Sequence, residues 1–287
     1  MIVPADVPAQ YEKLFIENYN ALTKGTSRVM IFAADQKMEH LNPLNPEDVF
    51  VLASSPHIGA FATHLGLIAR YGKQYNAINY IVKLNGKTNL VPMAQKDPAS
   101  ALLWSMDQVV QLRDEAGLKI RGAGYTIYPG SEDEGRMFAE AAQVVYQAHQ
   151  MGLVAIIWSY ARGKSVRDDS DERVVAGSAG VAASLGADIV KIKVPRSPQT
   201  QSCAELLHLS IQSAGNTRVI CSGGERQDPK AFLTELHSLL TVGKAGGCAV
   251  GRNIFQHNFM EALRMIEAIS ALVYRDCSLE DALKIIQ

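Results

Sequence analysis

Cysteine is scarce in this chain and follows no pattern. The four present, Cys203, Cys221, Cys248 and Cys277, form neither a CxxC pair nor a zinc-site spacing. They read as buried, reduced thiols of a cytoplasmic protein. An excess of one charge is missing too. The 28 Lys and Arg stand against 29 Asp and Glu, and the signs are interspersed without a basic stripe, so no nucleic-acid partner is expected. The longest apolar stretches, such as residues 153–158, fall far short of the ~20 residues needed to span a bilayer. The opening MIVPADVPAQYEK has no basic segment followed by an apolar run, so neither a membrane partner nor a secretory leader is expected. There is no Walker-type loop and no HExxH, and the seven histidines (His40, His57, His64, His149, His208, His237, His257) are scattered. No metal and no cofactor are expected on that pattern.

Apolar material, in contrast, is ample. The chain of 287 residues is 47% hydrophobic and 20% charged, with 22 Gly and 11 Pro, the composition of a globular domain. Eight short β-like runs occur at residues 29–34, 59–63, 77–84, 121–127, 154–160, 188–194, 218–222 and 247–250. Most are followed by helical apolar spacing, at residues 100–116, 132–151, 171–185, 203–214, 229–242 and 259–274. A helix over about residues 9–22 precedes the first strand and is placed to close a barrel bottom. A short one over residues 279–286 follows Ser278, a candidate N-cap. Alternating strands and helices predict parallel βαβ units. Eight of them predict an α/β fold, one (β/α)₈ TIM barrel spanning residues 1–287 as a single domain. An open doubly wound sheet is the alternative, since periodicity does not show closure.

In such a barrel the strand C-termini and the loops after them form the active face. Lys191 stands there, in the apolar β-branched run GADIVKIKVP. A lysine is rarely buried without a partner or a function. Strand alternation puts Ile189, Lys191 and Lys193 on one face and Ile192 and Val194 on the other. Like charges and partial desolvation favour the neutral amine, the form that attacks a carbonyl. Bringing a lysine from near 10.4 to about 7.5 needs roughly 4 kcal/mol of destabilisation of its charged form. A lysine snorkelling to the mouth, or paired with a carboxylate, is the competing reading.

Other strand ends supply partners for this chemistry. In AIIWSYARG the alternation groups Ile156, Trp158 and Tyr160. Tyr160 then lies near the top of the strand beside that of Lys191, where a phenol can move protons; Trp158 shapes the pocket or fills the core. Asp35 ends the first strand, placed to hold the lysine's charge, to move protons, or to cap the next helix. Lys37 and Lys83 are rival nucleophiles, but they sit at or beyond strand ends, where solvation suits them better to phosphate. Two glycine-rich ends, Ser222-Gly223-Gly224 and Gly251-Arg252, fall where barrels often hold phosphate through backbone amides, with Arg252 able to add a charge-assisted bond.

Together AADQKMEHLN, YIVKLNGKTNLVP, WSYARG, GADIVKIK, SGGE and AVGRNIFQ resemble the archaeal-type class I fructose-1,6-bisphosphate aldolase family, its bacterial branch in particular, over about residues 28–256. The resemblance implies a (β/α)₈ barrel with a Schiff-base lysine on strand six, matched by Lys191. It implies a strand-five Trp-x-Tyr, matched by Trp158 and Tyr160, with the tyrosine as principal proton donor and acceptor. The strand-one aspartate is matched by Asp35. Phosphate contacts map to Ser222, Gly223, Gly224, Gly251 and Arg252. Ile192 and Lys193 depart from the small or hydroxyl-bearing residue common after the lysine, and Lys193 leaves the choice of nucleophile open. The implied activity is metal-independent cleavage of fructose 1,6-bisphosphate, with a phosphosugar as partner and a homo-oligomer as assembly. Relatives on this framework include transaldolase-like and thiolase-like enzymes, so a transferase is the alternative. A phosphosugar-sensing barrel with a dead site is opposed by the intact Lys191, Tyr160 and Asp35.

Overall fold

A computed structural model describes residues 1–39, 44–89, 97–197 and 202–287, the side chains of Gln36 and Lys37 excepted. His40, the Lys37 side chain and residues 90–92 of one motif therefore lie outside the description. Eight parallel strands close on themselves: β1 (Val29–Ala33), β2 (Ala60–His64), β3 (Tyr80–Lys83), β4 (Ile120–Ile127), β5 (Val154–Ser159), β6 (Ile189–Ile192), β7 (Arg218–Ser222) and β8 (Gly247–Val250). Each pairs with its sequence neighbours, and β1 pairs with β8 from Val29↔Gly247 to Phe32↔Val250. The barrel reading holds and the open sheet does not.

Side-chain alternation splits the apolar residues into two cores. Met30, Phe32, Val190, Ile192 and Val194 face the helical layer. Ile31, Ala33, Ile81, Val154, Ile156, Trp158, Ile189, Ile220 and Ala249 fill the barrel interior. The N-terminal helix (Glu12–Thr23) adds Phe15, Tyr19 and Leu22 to that interior cluster. It therefore plugs the end of the barrel away from the strand C-termini.

Helix starts follow their caps. Ser202 and Asn258 form capping boxes with Glu205 and Glu261, and Ser278 accepts from Asp281 N at 3.1 Å. The helix expected from residue 100 starts at Met106, because Ser105 and Gln108 form a capping box there. Residues Ala101–Leu102 instead pair antiparallel with Asn85–Gly86. Four helices went unforeseen: Gln36–Glu39, Pro46–Ala53, Leu65–Tyr71 and Arg252–Phe255. All have at most eight residues, too few turns for an apolar period to emerge. Strand β6 stops at Ile192 rather than residue 194, so Lys193 keeps its face but leaves the ladder just before Val194 and Pro195.

Candidate active site

Lys191 is 5% exposed and points into the barrel between β5 and β7, in register with Trp158 and Ile220. Its Nζ lies 5.7 Å from the Trp158 ring centroid and 6.0 Å from that of Tyr160. Among the described residues it makes no hydrogen bond and no ion pair. Burial pushes its pKa below the ordinary lysine value, against the pull of Asp35 and Glu39, and the charge of Arg252 adds to the downward push. It opens on a cavity of about 490 Å³ at the C-terminal ends of the strands, a volume within the range of small-molecule sites.

The other two lysines turn out differently from expectation. Lys193 lines the same cavity, but its ammonium forms an ion pair with Asp169. Lys193, not Lys191, is therefore the lysine paired with a carboxylate. Lys83 is only 1% exposed and does not line the cavity. It is therefore not the solvated lysine expected from its place at a strand end. Its Nζ donates to Asn85 O at 3.0 Å and Asn85 Oδ1 at 2.8 Å.

Trp158 serves both core and pocket: it is 1% exposed, packs in the interior cluster and lines the cavity. Its indole lies over Gly124 of β4, where a Cβ would come within 2.0 Å of the ring; only glycine leaves that space. Trp158 Nε1 is buried without a hydrogen-bond partner. Tyr160, just past β5, lines the cavity as expected. Burial first, then the charges of Asp35 and Glu39, holds its phenol well above the usual tyrosine value. It is thus a proton donor at rest. The Arg162 guanidinium stacks at 5.5 Å over Tyr160 and 5.8 Å over Tyr128, both cavity residues.

Asp35 is buried at the cavity wall. Glu39, not selected from the sequence, lines the cavity beside it. The two stand four positions apart across the helix Gln36–Glu39, the spacing that returns a side chain to the same face. Burial and then the Asp35 charge raise the Glu39 pKa, while Lys83, Lys191 and Arg162 pull it down. Nearby His64 is lowered to about 4 by burial and by the charge of Lys83, and so is neutral.

All five expected phosphate-loop residues, Ser222, Gly223, Gly224, Gly251 and Arg252, line the cavity. Gly224 has φ +66°, a conformation that favours glycine. Gly223 N already donates to Ala249 O at 3.0 Å, which leaves it out of any anion contact. Buried Asn253 ties the two loops together: its Nδ2 donates to Gly223 O at 2.7 Å and Glu225 O at 2.9 Å, and its Oδ1 accepts from Gln227 N at 2.8 Å. Arg252 Nε is buried with no partner. The site thus presents a neutral-leaning amine, a protonated phenol, two carboxyls and a cationic glycine-rich rim.

Residues 29–257 match the DeoC/LacD family of aldolases. A relative from Methanocaldococcus jannaschii, named fructose-bisphosphate aldolase/6-deoxy-5-ketofructose 1-phosphate synthase, is 48% identical over 99% of this chain and 93% of its own. The solved fructose-bisphosphate aldolase of Slackia heliotrinireducens superposes with a TM-score of 0.96 at 43% identity, covering 100% of this chain and 93% of that one. An archaeal fructose-1,6-bisphosphate aldolase, solved with its catalytic lysine covalently bound to the carbinolamine intermediate, gives a TM-score of 0.77 at 30% identity, over 91% and 99% of the two chains. With most of its barrel matched and its fold shared with these enzymes, the chain belongs to the DeoC/LacD family of aldolases.

Proposed function

We propose that this chain is a Schiff-base fructose-1,6-bisphosphate aldolase in which Lys191 is the nucleophile. The observation that carries the reading is Lys191 itself, a buried amine without hydrogen bond or ion pair among the described residues, facing a cavity with a protonated Tyr160. The neutral amine adds to the C2 ketone to give a carbinolamine. Tyr160 protonates the departing hydroxyl, and water leaves as the iminium forms. The resulting phenolate, strongly basic in its buried acidic setting, takes the proton of the C4 hydroxyl. The C3–C4 bond then breaks, its electron pair passing into the iminium, and glyceraldehyde 3-phosphate departs. Tyr160 returns the proton to C3 of the enamine, and water hydrolyses the new iminium to release dihydroxyacetone phosphate. Asp35 and Glu39 hold the charge balance around these transfers. Arg252 and the loop residues Ser222, Gly224 and Gly251 hold one phosphate. Arg162, stacked over the Tyr160 ring, is the cation that steadies the phenolate between its two proton transfers.

Trapping tests this directly. Borohydride reduction with dihydroxyacetone phosphate should label Lys191 on peptide mapping, and purified protein should cleave fructose 1,6-bisphosphate. An adduct on Lys193, or none, sinks the assignment. A second activity, synthesis of 6-deoxy-5-ketofructose 1-phosphate, is favoured by the name of the relative that is 48% identical; product analysis separates the two. A cytoplasmic homo-oligomer completes the reading, supported by family resemblance; no described helix is long and apolar enough to cross a membrane. Light scattering measures the assembly.

A further inference from the structure

Lys83 is a buried amine that the mechanism above leaves unused. Its strand neighbour in register is Gly124, over which the Trp158 indole lies, while Trp158 is in register with Lys191. The indole therefore extends from the strand beside Lys191 toward the strand beside Lys83. Lys83 Nζ is 5.6 Å from the ring centroid, and Lys191 Nζ is 5.7 Å from it. We propose that Lys83 is a positioning residue for the Lys191 amine: held by both oxygens of Asn85 across the Trp158 ring, it keeps its own proton and makes Lys191 the amine that gives its proton up.

Hydrogen bonding distinguishes the two. Lys83 has two acceptors, and neither can become a donor. One is a backbone carbonyl. The other, Asn85 Oδ1, is fixed by Thr126, whose N–H donates to it at 2.8 Å while its carbonyl accepts from Asn85 Nδ2 at 2.8 Å. Acceptors held in place favour the charged form. Lys191 has none among the described residues. The charge of Lys191 presses on Lys83, and such repulsion is reciprocal; of two coupled amines in a poorly solvated site, the one without acceptors loses its proton first, and the remaining charge then holds it neutral. The surroundings supply both signs. Asp35 and Glu39 face both lysines, Arg252 and Cys248 face Lys191, and neutral His64 faces Lys83, its Nε2 3.3 Å from Asn85 O. Burial lowers both lysines. Lys193, paired with Asp169, cannot supply this effect.

The inference rests on Lys191 being the Schiff-base lysine, and the trapping experiment separates the two ideas. Borohydride trapping with dihydroxyacetone phosphate, followed as a rate against pH, is run on the wild type, Lys83→Met and Lys83→Arg. The wild type should label Lys191 with a midpoint below that of an ordinary lysine. Lys83→Met should move that midpoint up by about one pH unit, roughly a tenfold loss of rate at neutral pH, with the alkaline plateau retained. Lys83→Arg should restore the wild-type midpoint. If Lys83→Met does not fold, Lys83→Gln carries the same expectation. In the wild type itself, His64 titrating at an ordinary histidine value by NMR would overturn the placement of a charge on Lys83. No adduct in the wild type defeats the aldolase reading. An adduct on Lys191 with an unmoved midpoint in Lys83→Met, or a rate lowered equally at every pH, defeats only this inference.

Discussion

At the N-terminal floor of the barrel, His149 has a carboxylate on each ring nitrogen: Asp6 on Nδ1 at 2.9 Å and Asp188 on Nε2 at 3.1 Å. At the opposite mouth Lys191, also buried, has no hydrogen bond among the described residues. The contrast extends to neighbours. On the floor Asn18 donates to Gly152 O at 2.8 Å and accepts from Arg121 at 2.9 Å, and Asp188 accepts from Ala155 N at 2.7 Å. At the mouth Trp158 Nε1 and Arg252 Nε are buried without partners. An unmet buried polar group costs about 1–3 kcal/mol, so the mouth carries this cost at two groups, and the floor at one, Arg218 Nε at the start of β7. On the proposed function, a substrate brings the partners absent from the mouth. Both ends meet at β6, where Asp188 lies three residues before Lys191. By fixing the starts of β5 and β6, the floor sets the register that brings Trp158 beside Lys191.

If that division is right, mouth substitutions lose activity and spare stability. Lys191→Met should lower fructose 1,6-bisphosphate cleavage by on the order of 10⁴-fold or more. Its thermal midpoint should hold or rise, because a poorly satisfied buried amine gives way to an apolar chain of similar volume. A large drop in midpoint would make Lys191 structural and erase the contrast. Tyr160→Phe should cost about 10²–10⁴-fold in kcat through lost proton transfer, and more than Trp158→Ala. Steady-state kinetics with the reverse order would remove Tyr160 from the proton path.

Most of the mouth was legible in the sequence, because it depends on local pattern. Period-two alternation places Lys191, Trp158 and Tyr160 inward, and the rule that barrels bind at strand C-termini supplies the loops at Ser222–Gly224 and Gly251–Arg252. What stayed hidden depends on contacts distant in sequence. Lys193 meets Asp169 from 24 positions away, and Asn253 reaches the β7 loop across 26 to 30. Lys83 looked solvated because it ends a strand; Asn85, on a two-residue strand paired with Ala101–Leu102, binds its ammonium instead. Glu39 sits on a four-residue helix too short to show a period. The floor was almost unreadable, since nothing in the pattern around Asp6 or His149 announces that they meet across 143 positions.

Floor substitutions should do the opposite of mouth ones. His149→Gln takes from buried Asp188 the ring that bonds it, where burial already raises the Asp188 pKa against the pull of His149, and should cost about 3 kcal/mol of stability, with kcat unchanged within about twofold. Denaturant unfolding and initial rates on the same preparation test both halves.

Asp6→Asn is the gentlest probe and the one with a sign. Asp6 is partly exposed, so its pairing is worth at most about 1 kcal/mol. The two carboxylates outweigh burial and raise the His149 pKa above its ordinary 6.5. A raised folded value means the stabilisation is fully present below about 6.5 and is lost as pH climbs through the folded value. The stability gap between wild type and Asp6→Asn should therefore be widest near pH 6 and close toward pH 9. A gap that is constant, or that widens with pH, would show that the floor is held by neutral hydrogen bonds rather than by an imidazolium between two carboxylates.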